Sequence, residues 1–107
     1  MTQPSHRISL GGELGLREAD AIRDQLLDAL RAHEAVEVDM TGLASLDMSI
    51  IQLLIAAQKL ADGRSKGFQI IALSGGALQD AATRAGLLTQ NAAAPFQVQW
   101  RGRDAAS

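Results

Sequence analysis

The sequence predicts a layered α/β domain, and three observations predict it. Segments of alternating apolar residues, such as AVEVDM and FQVQW, are interleaved with segments of helical period. Turn signals, GG, TG and DG among them, fall near the changes of period. Each helical segment carries an apolar stripe that a sheet can cover. The expected architecture is a central, mostly parallel or mixed sheet of about four or five strands covered by about three helices.

In chain order, HRISLGGEL places Ile8 and Leu10 on one side of an extended segment, and Gly11-Gly12 marks a turn or bulge before Glu13 and Leu14. One or two short strands are expected there. From Leu16 to Ala32, apolar residues recur at Ala19, Ile22, Leu26, Ala29 and Leu30 while most charges lie outside that stripe, which predicts an amphipathic helix. AVEVDM reads as a strand and TGLASLD as the loop after it. The stretch SLDMSIIQLLIAAQKLA, Ser45 to Ala61, reads as a second helix, with DGRSKG as a polar turn behind it. FQIIALS suits a buried strand, and GGALQDAATRAGLL a short helix stopping at Gly86. After TQNAAAP, Phe96, Val98 and Trp100 alternate with Gln97 and Gln99, which predicts a last edge strand before RGRDAAS as a frayed tail. With no internal repeat or linker, residues 1–107 are expected to form a single domain, its core at about 8–88 and an edge strand and tail in 89–107.

Composition removes several functional classes. The chain of 107 residues is 47% hydrophobic, yet Asp, Gln, Lys and Arg interrupt every apolar run short of the roughly 18 to 20 residues a bilayer span needs. No direct membrane insertion is expected. MTQPSHR has no apolar core, so neither does a secretory signal show; with zero cysteines, disulfides and thiolate chemistry are excluded and a cytoplasmic location is the expectation. Ten basic residues against twelve acidic ones give a formal net charge of -2 with no dense basic cluster, so nucleic acid is not an expected partner.

The chemistry-bearing stretch is the start of the second helix. Asp47 is a good cap residue, and Ser49 with Gln52 matches the S-x-x-Q capping box. A phosphate on Ser49 would also be tolerated there, because it would sit at the positive end of the helix dipole. At about 100° per residue, Ile50, Leu53, Leu54, Ala57, Leu60 and Ala61 share the face directed at the sheet, whereas Ile51 and Ile55 form a flank with Gln58 and Asp62. A neighbouring helix or loop could cover that flank, or it could be a partner surface and even support a homodimer.

The succession SLGGEL, amphipathic helix, VEVDMTGLASLDMS, apolar helix, GFQIIALS and a short helix ending in AGLL resembles the STAS domain, named for sulphate transporters and anti-sigma factor antagonists. The likeness covers about residues 8–88, and its most specific piece is VDMTGLASLDMSIIQLL. It departs from many phosphorylated members at Ile50, where a glycine is common, and at Met48, where a second hydroxyl is common. The resemblance implies a regulatory protein-binding module in which Ser49 is phosphorylated by a partner serine kinase, with Asp47, Met48 and Thr41 supporting the switch. It also implies a partner surface made by Ile51, Ile55 and Gln52 together with the second loop, Ser74, Gly75 and Gly76. The expected partner is then a serine kinase that is itself an anti-sigma factor, or a related protein of stress or chemotaxis signalling. The alternative within the family is a constitutive small subunit of a lipid-transporting ABC complex, with Ser49 a structural helix cap.

Enzymatic readings lack a complete set of groups. His6 and His33 have no metal-ligand spacing, SLDMS is not a G-x-S-x-G elbow, and no base accompanies Ser49 and Asp47. LSGGALQD lacks the Walker lysine and the dinucleotide-binding spacing, so a turn before a helix is expected there. No catalytic residues, no metal and no cofactor are expected.

Overall fold

A computed structural model describes residues 6–86 and 96–102. Among the described residues, six strands and three helices follow one another as β1 (His6–Ser9), β2 (Gly12–Leu14), α1 (Ala19–Ala32), β3 (Ala35–Asp39), β4 (Leu43–Leu46), α2 (Met48–Gly63), β5 (Gly67–Leu73), α3 (Ala77–Arg84) and β6 (Val98–Arg101), with a short 3-10 turn at Leu16–Glu18 leading into α1. The main sheet has four strands in the order β1-β3-β5-β6, and each neighbouring pair runs parallel. Because the order advances one way and parallel crossovers are right-handed, all three helices fall on one face. Burial agrees: Val36, Val38, Phe68, Ile70 and Ala72 point into the core, while Arg7, Glu37, Gln69 and Gln99 stand on the other face.

The alternating segments expected as strands form where apolar positions meet the helices. Ile8 and Leu10 are buried, and Phe96 is buried ahead of half-buried Val98 and Trp100, which place β6 at the sheet edge beside β5. On α1, Ile22, Leu26, Ala29 and Leu30 are the buried stripe. The Lys66 ammonium, reaching from the turn before β5, donates to the Leu30 carbonyl, so the last orphan acceptors of α1 are answered from the neighbouring connection. α3 stops where expected: Gly86 has φ of 76° and donates its N–H to the Thr83 carbonyl, a left-handed cap that glycine adopts without strain. The expected tail beyond residue 102 and the segment TQNAAAP lie outside the described residues.

Two expectations are corrected. TGLASLD is not wholly a loop, since Leu43–Leu46 is β4, paired in parallel with β2 as a separate two-stranded ribbon. Leu-Ala-Ser-Leu carries little intrinsic strand preference; β2 supplies the pairing edge and α3 packs against β4, so context overrides propensity. The second helix therefore begins at Met48, not Ser45. The Gly11-Gly12 signal is borne out as a register shift between Gly12 and Glu13 in that ribbon.

The flank of α2, for which either a covering element or a partner surface was expected, is covered at Ile51. Ile51 is 1% exposed and belongs to the core, Ile55 is half-buried, and Gln58 is 7% exposed. At Ile51 the covering element is α3, since Ala81, Arg84 and Ala85 line the same cavity, while Ile55 stays half-buried and Asp62 exposed. Lower on the helix, Gln58 fastens the last strand. Its Nε2 donates to Asp62 at 3.0 Å and its Oε1 accepts the Gln97 backbone N–H at 2.9 Å. Gln58→Leu removes that acceptor, so stability should fall by about 1 kcal/mol and amide exchange in Val98–Arg101 should quicken; exchange unchanged from wild type would show that the clasp holds nothing.

Candidate functional site

Loops leaving the carboxyl ends of the strands meet at one end of the molecule, where the chain passes from β4 into α2. Asp47 is the N-cap there: its backbone is extended, and its Oδ2 accepts the Ser49 backbone N–H at 2.9 Å. The Asp47 backbone N–H in turn donates to the Leu14 carbonyl at 2.9 Å, which ties the start of α2 to the end of β2. The bonded Ser49 N–H first, and then the nearby Ser49 hydroxyl, which falls short of hydrogen-bond geometry, hold the Asp47 carboxyl below the usual carboxylate range. It is therefore a fixed anion at neutral pH.

Ser49 does not cap the helix. Its Oγ is buried and has no hydrogen-bond partner, so the S-x-x-Q box expected with Gln52, which is exposed on the next turn, does not form. The cap position had already been taken by Asp47. A buried, unanswered hydroxyl costs stability, so Ser49→Ala should leave the urea midpoint unchanged or raise it, by up to about 1 kcal/mol in free energy. A fall of that size would mean that the hydroxyl is bonded in solution.

Thr41 serves a different carboxylate. Its backbone N–H and its hydroxyl both donate to Asp39 Oδ1, at 3.0 and 2.7 Å, closing the turn after β3. These bonds, the Thr41 backbone N–H first, lower the Asp39 carboxyl from its ordinary value. A depressed folded pKa stabilises the fold above the unfolded carboxylate value of about 3.9, and that contribution is lost as pH falls through the folded value. Asp39→Asn and Asp47→Asn should thus lower the urea midpoint at pH 7, with the deficit narrowing as pH falls below about 3.9. A deficit that stays constant with pH would assign the loss to something other than these charges.

The second loop has a structural explanation at each residue. Ser74 donates its N–H to the Arg101 carbonyl at 2.8 Å, Gly75 occupies φ of 78°, and Gly76 is the N-cap of α3. A Cβ at Gly76 would lie 3.1 Å from the Leu73 carbonyl oxygen, so the glycine permits a close backbone approach. These residues do not line the cavities beside Asp47.

The surface around Asp47 holds two apolar side chains of unusual exposure. Leu16 is 74% exposed and Met48 45%, the large hydrophobic residues left open among those described. Leu16 and Asp47 line one open groove of about 560 Å³, and Met48 and Leu46 line a smaller one of about 200 Å³ against α3. Asp47 thus stands between two apolar footholds. Leu16 was not singled out from the sequence, although it falls outside the stripe of α1 and that offset signals its exposure.

Among the described residues no group of three or more His, Cys, Asp or Glu is placed to hold a metal, and no helix is long and apolar enough to cross a membrane. His6 and His33 stack face to face with ring centroids 4.1 Å apart, away from Asp47 in the fold order, at the start of β1 and the end of α1.

No curated protein matches the sequence. The family model described as "Mlab, STAS domain" matches residues 1–92 of the 107, and with the parallel sheet and helix order above it identifies the chain as a member of the STAS family, anti-sigma factor antagonist-like regulatory modules that generally bind protein partners.

Proposed function

We propose that this STAS protein works by docking a protein partner, without catalysis, on the end of the molecule where Leu16 and Met48 flank Asp47. The observation that carries the reading is that exposed pair, because large apolar side chains left open together at a loop end favour an interface. The docking is constitutive in this reading: Asp47 supplies the helix cap and Ser49 Oγ is enclosed, out of a kinase's reach in the described state. Such a module fits the small-subunit branch that the resemblance includes, a permanent component of a larger assembly such as a lipid-transporting ABC complex.

A second reading, phosphorylation of Ser49 by a partner serine kinase, is favoured by one observation. The hydroxyl is enclosed beside the Asp47 carboxylate without a well-formed hydrogen bond, so the cap does not require it. Phosphate there requires the first turn of α2 to open, after which its charge would disrupt the docked surface.

The test is quantitative affinity purification from native cells with wild type, Ser49→Ala and Ser49→Asp, and mass spectrometry of bait and recovered proteins. Constitutive docking predicts an unmodified bait and one partner retained by wild type and Ser49→Ala. Phosphate on wild-type Ser49, with the partner lost from a folded Ser49→Asp, would replace it by the switch.

A further inference from the structure

The groove on the Leu16 side of Asp47 carries a charge pattern that goes beyond an apolar foothold. Glu13, Glu18 and Asp47 line it against a single guanidinium, Arg17, with Leu14 and Leu46 among the apolar lining. Six carboxylates elsewhere are paired with a cation within the chain, Glu37 and Asp39 by Arg7, Asp20 and Asp24 by Arg23, Asp28 by Arg31 and Asp80 by Arg84, while Glu34 and Asp62 have none among the described residues. The groove acids are set apart by convergence, three of them lining one cavity with one cation. Glu13 has no ion-pair partner among the described residues, and Glu18 and Asp47 each use one oxygen on a backbone N–H, Gly15 at 2.7 Å and Ser49 at 2.9 Å. Those bonds orient the two carboxylates without neutralising them.

Resting on the docking reading above, we infer that this groove takes a segment of the partner protein in which an arginine or lysine adjoins a large apolar side chain. The cation lies among Glu13, Glu18 and Asp47 while the apolar neighbour covers Leu16. Arginine suits the groove better than lysine, because a planar guanidinium can address two carboxylates at once. The fixed carboxylates cost little reorganisation on binding, and their excess negative charge steers a basic segment inward. Acidic segments are repelled by the same charge.

The inference is tested by titrating the isotope-labelled full chain with three synthetic peptides of equal length, built around Leu-Arg-Leu-Arg, Leu-Gln-Leu-Gln and Leu-Glu-Leu-Glu, and following backbone amide shifts. The arginine peptide should shift Leu14–Glu18 and Ser45–Met48, and Glu13→Lys should weaken it about tenfold, with Asp28→Lys on α1 leaving it unchanged. Raising salt from about 20 to about 200 mM should weaken the same complex, since the charges are at an open rim. Shifts elsewhere, no shift with the arginine peptide, or equal shifts with the glutamate peptide would overturn the inference. Equal binding of the glutamine peptide at these same residues would also overturn it while leaving Leu16 a docking residue; the docking reading itself fails separately, if Leu16→Glu leaves partner retention intact.

Discussion

Ile51→Glu should unfold the domain. The side chain is enclosed between α2 and α3, so the substitution buries a carboxylate, and Arg84, the cation lining that cavity, is already paired with Asp80. Burial of an unpaired charge costs upward of about 4 kcal/mol, a large share of the roughly 5 to 15 kcal/mol that holds a domain of this kind together. Ile51→Ala isolates the packing contribution: it should lose about 2 to 5 kcal/mol and still fold at low temperature. Circular dichroism and urea unfolding read both variants. A stable, folded Ile51→Glu protein would restore the open flank and shift the docking surface down α2.

Leu16→Glu has the opposite signature. The side chain projects from the 3-10 turn into solvent, so its replacement should change stability by no more than about 0.5 kcal/mol. Partner binding should fall at least about tenfold, because the change removes the apolar anchor and places a charge where the partner's apolar side chain would be buried. Met48→Glu tests the other side of Asp47 and should act in the same direction. Isothermal titration with the recovered partner, beside unfolding curves, separates the two effects. Unchanged affinity in both variants would remove this end of the molecule from the interface.

The contrast between Ile51 and Leu16 shows where the sequence is readable. Alternation revealed β3 and the last edge strand because Val36, Val38, Phe96 and Trp100 meet helices on one face and leave polar neighbours on the other. β4 was hidden, since Leu-Ala-Ser-Leu forms a strand only where β2 lies beside it. Helical period identified the stripe of α1 but says nothing of what covers a second flank. Ile51 is buried because α3, remote in sequence, returns against it.

At the site, Asp47 as helix cap was legible from residue type and position alone. Ser49 was equally good as a cap by type, and the competition between the two was settled by backbone geometry: an extended Asp47 puts its carboxylate on the Ser49 N–H. Leu16 carried a weaker signal. It lies about 90° off the α1 stripe, a position that ordinary helical arithmetic assigns to solvent, and the 3-10 turn carries it out to the groove rim. The acids of that groove are scattered over Glu13, Glu18 and Asp47, and the pairing of β2 with β4, with the turn that bonds Glu18 back to Gly15, brings them together.

The measurement that bears most directly on the docking surface is site-specific photocrosslinking in native cells. A photoreactive residue is placed in turn at Leu16, at Met48 and at Gln69 on the open face of the sheet. One shared crosslinked protein is expected from Leu16 and Met48 and none from Gln69. A crosslinked partner from Gln69, with none from Leu16 or Met48, would contradict docking beside Asp47.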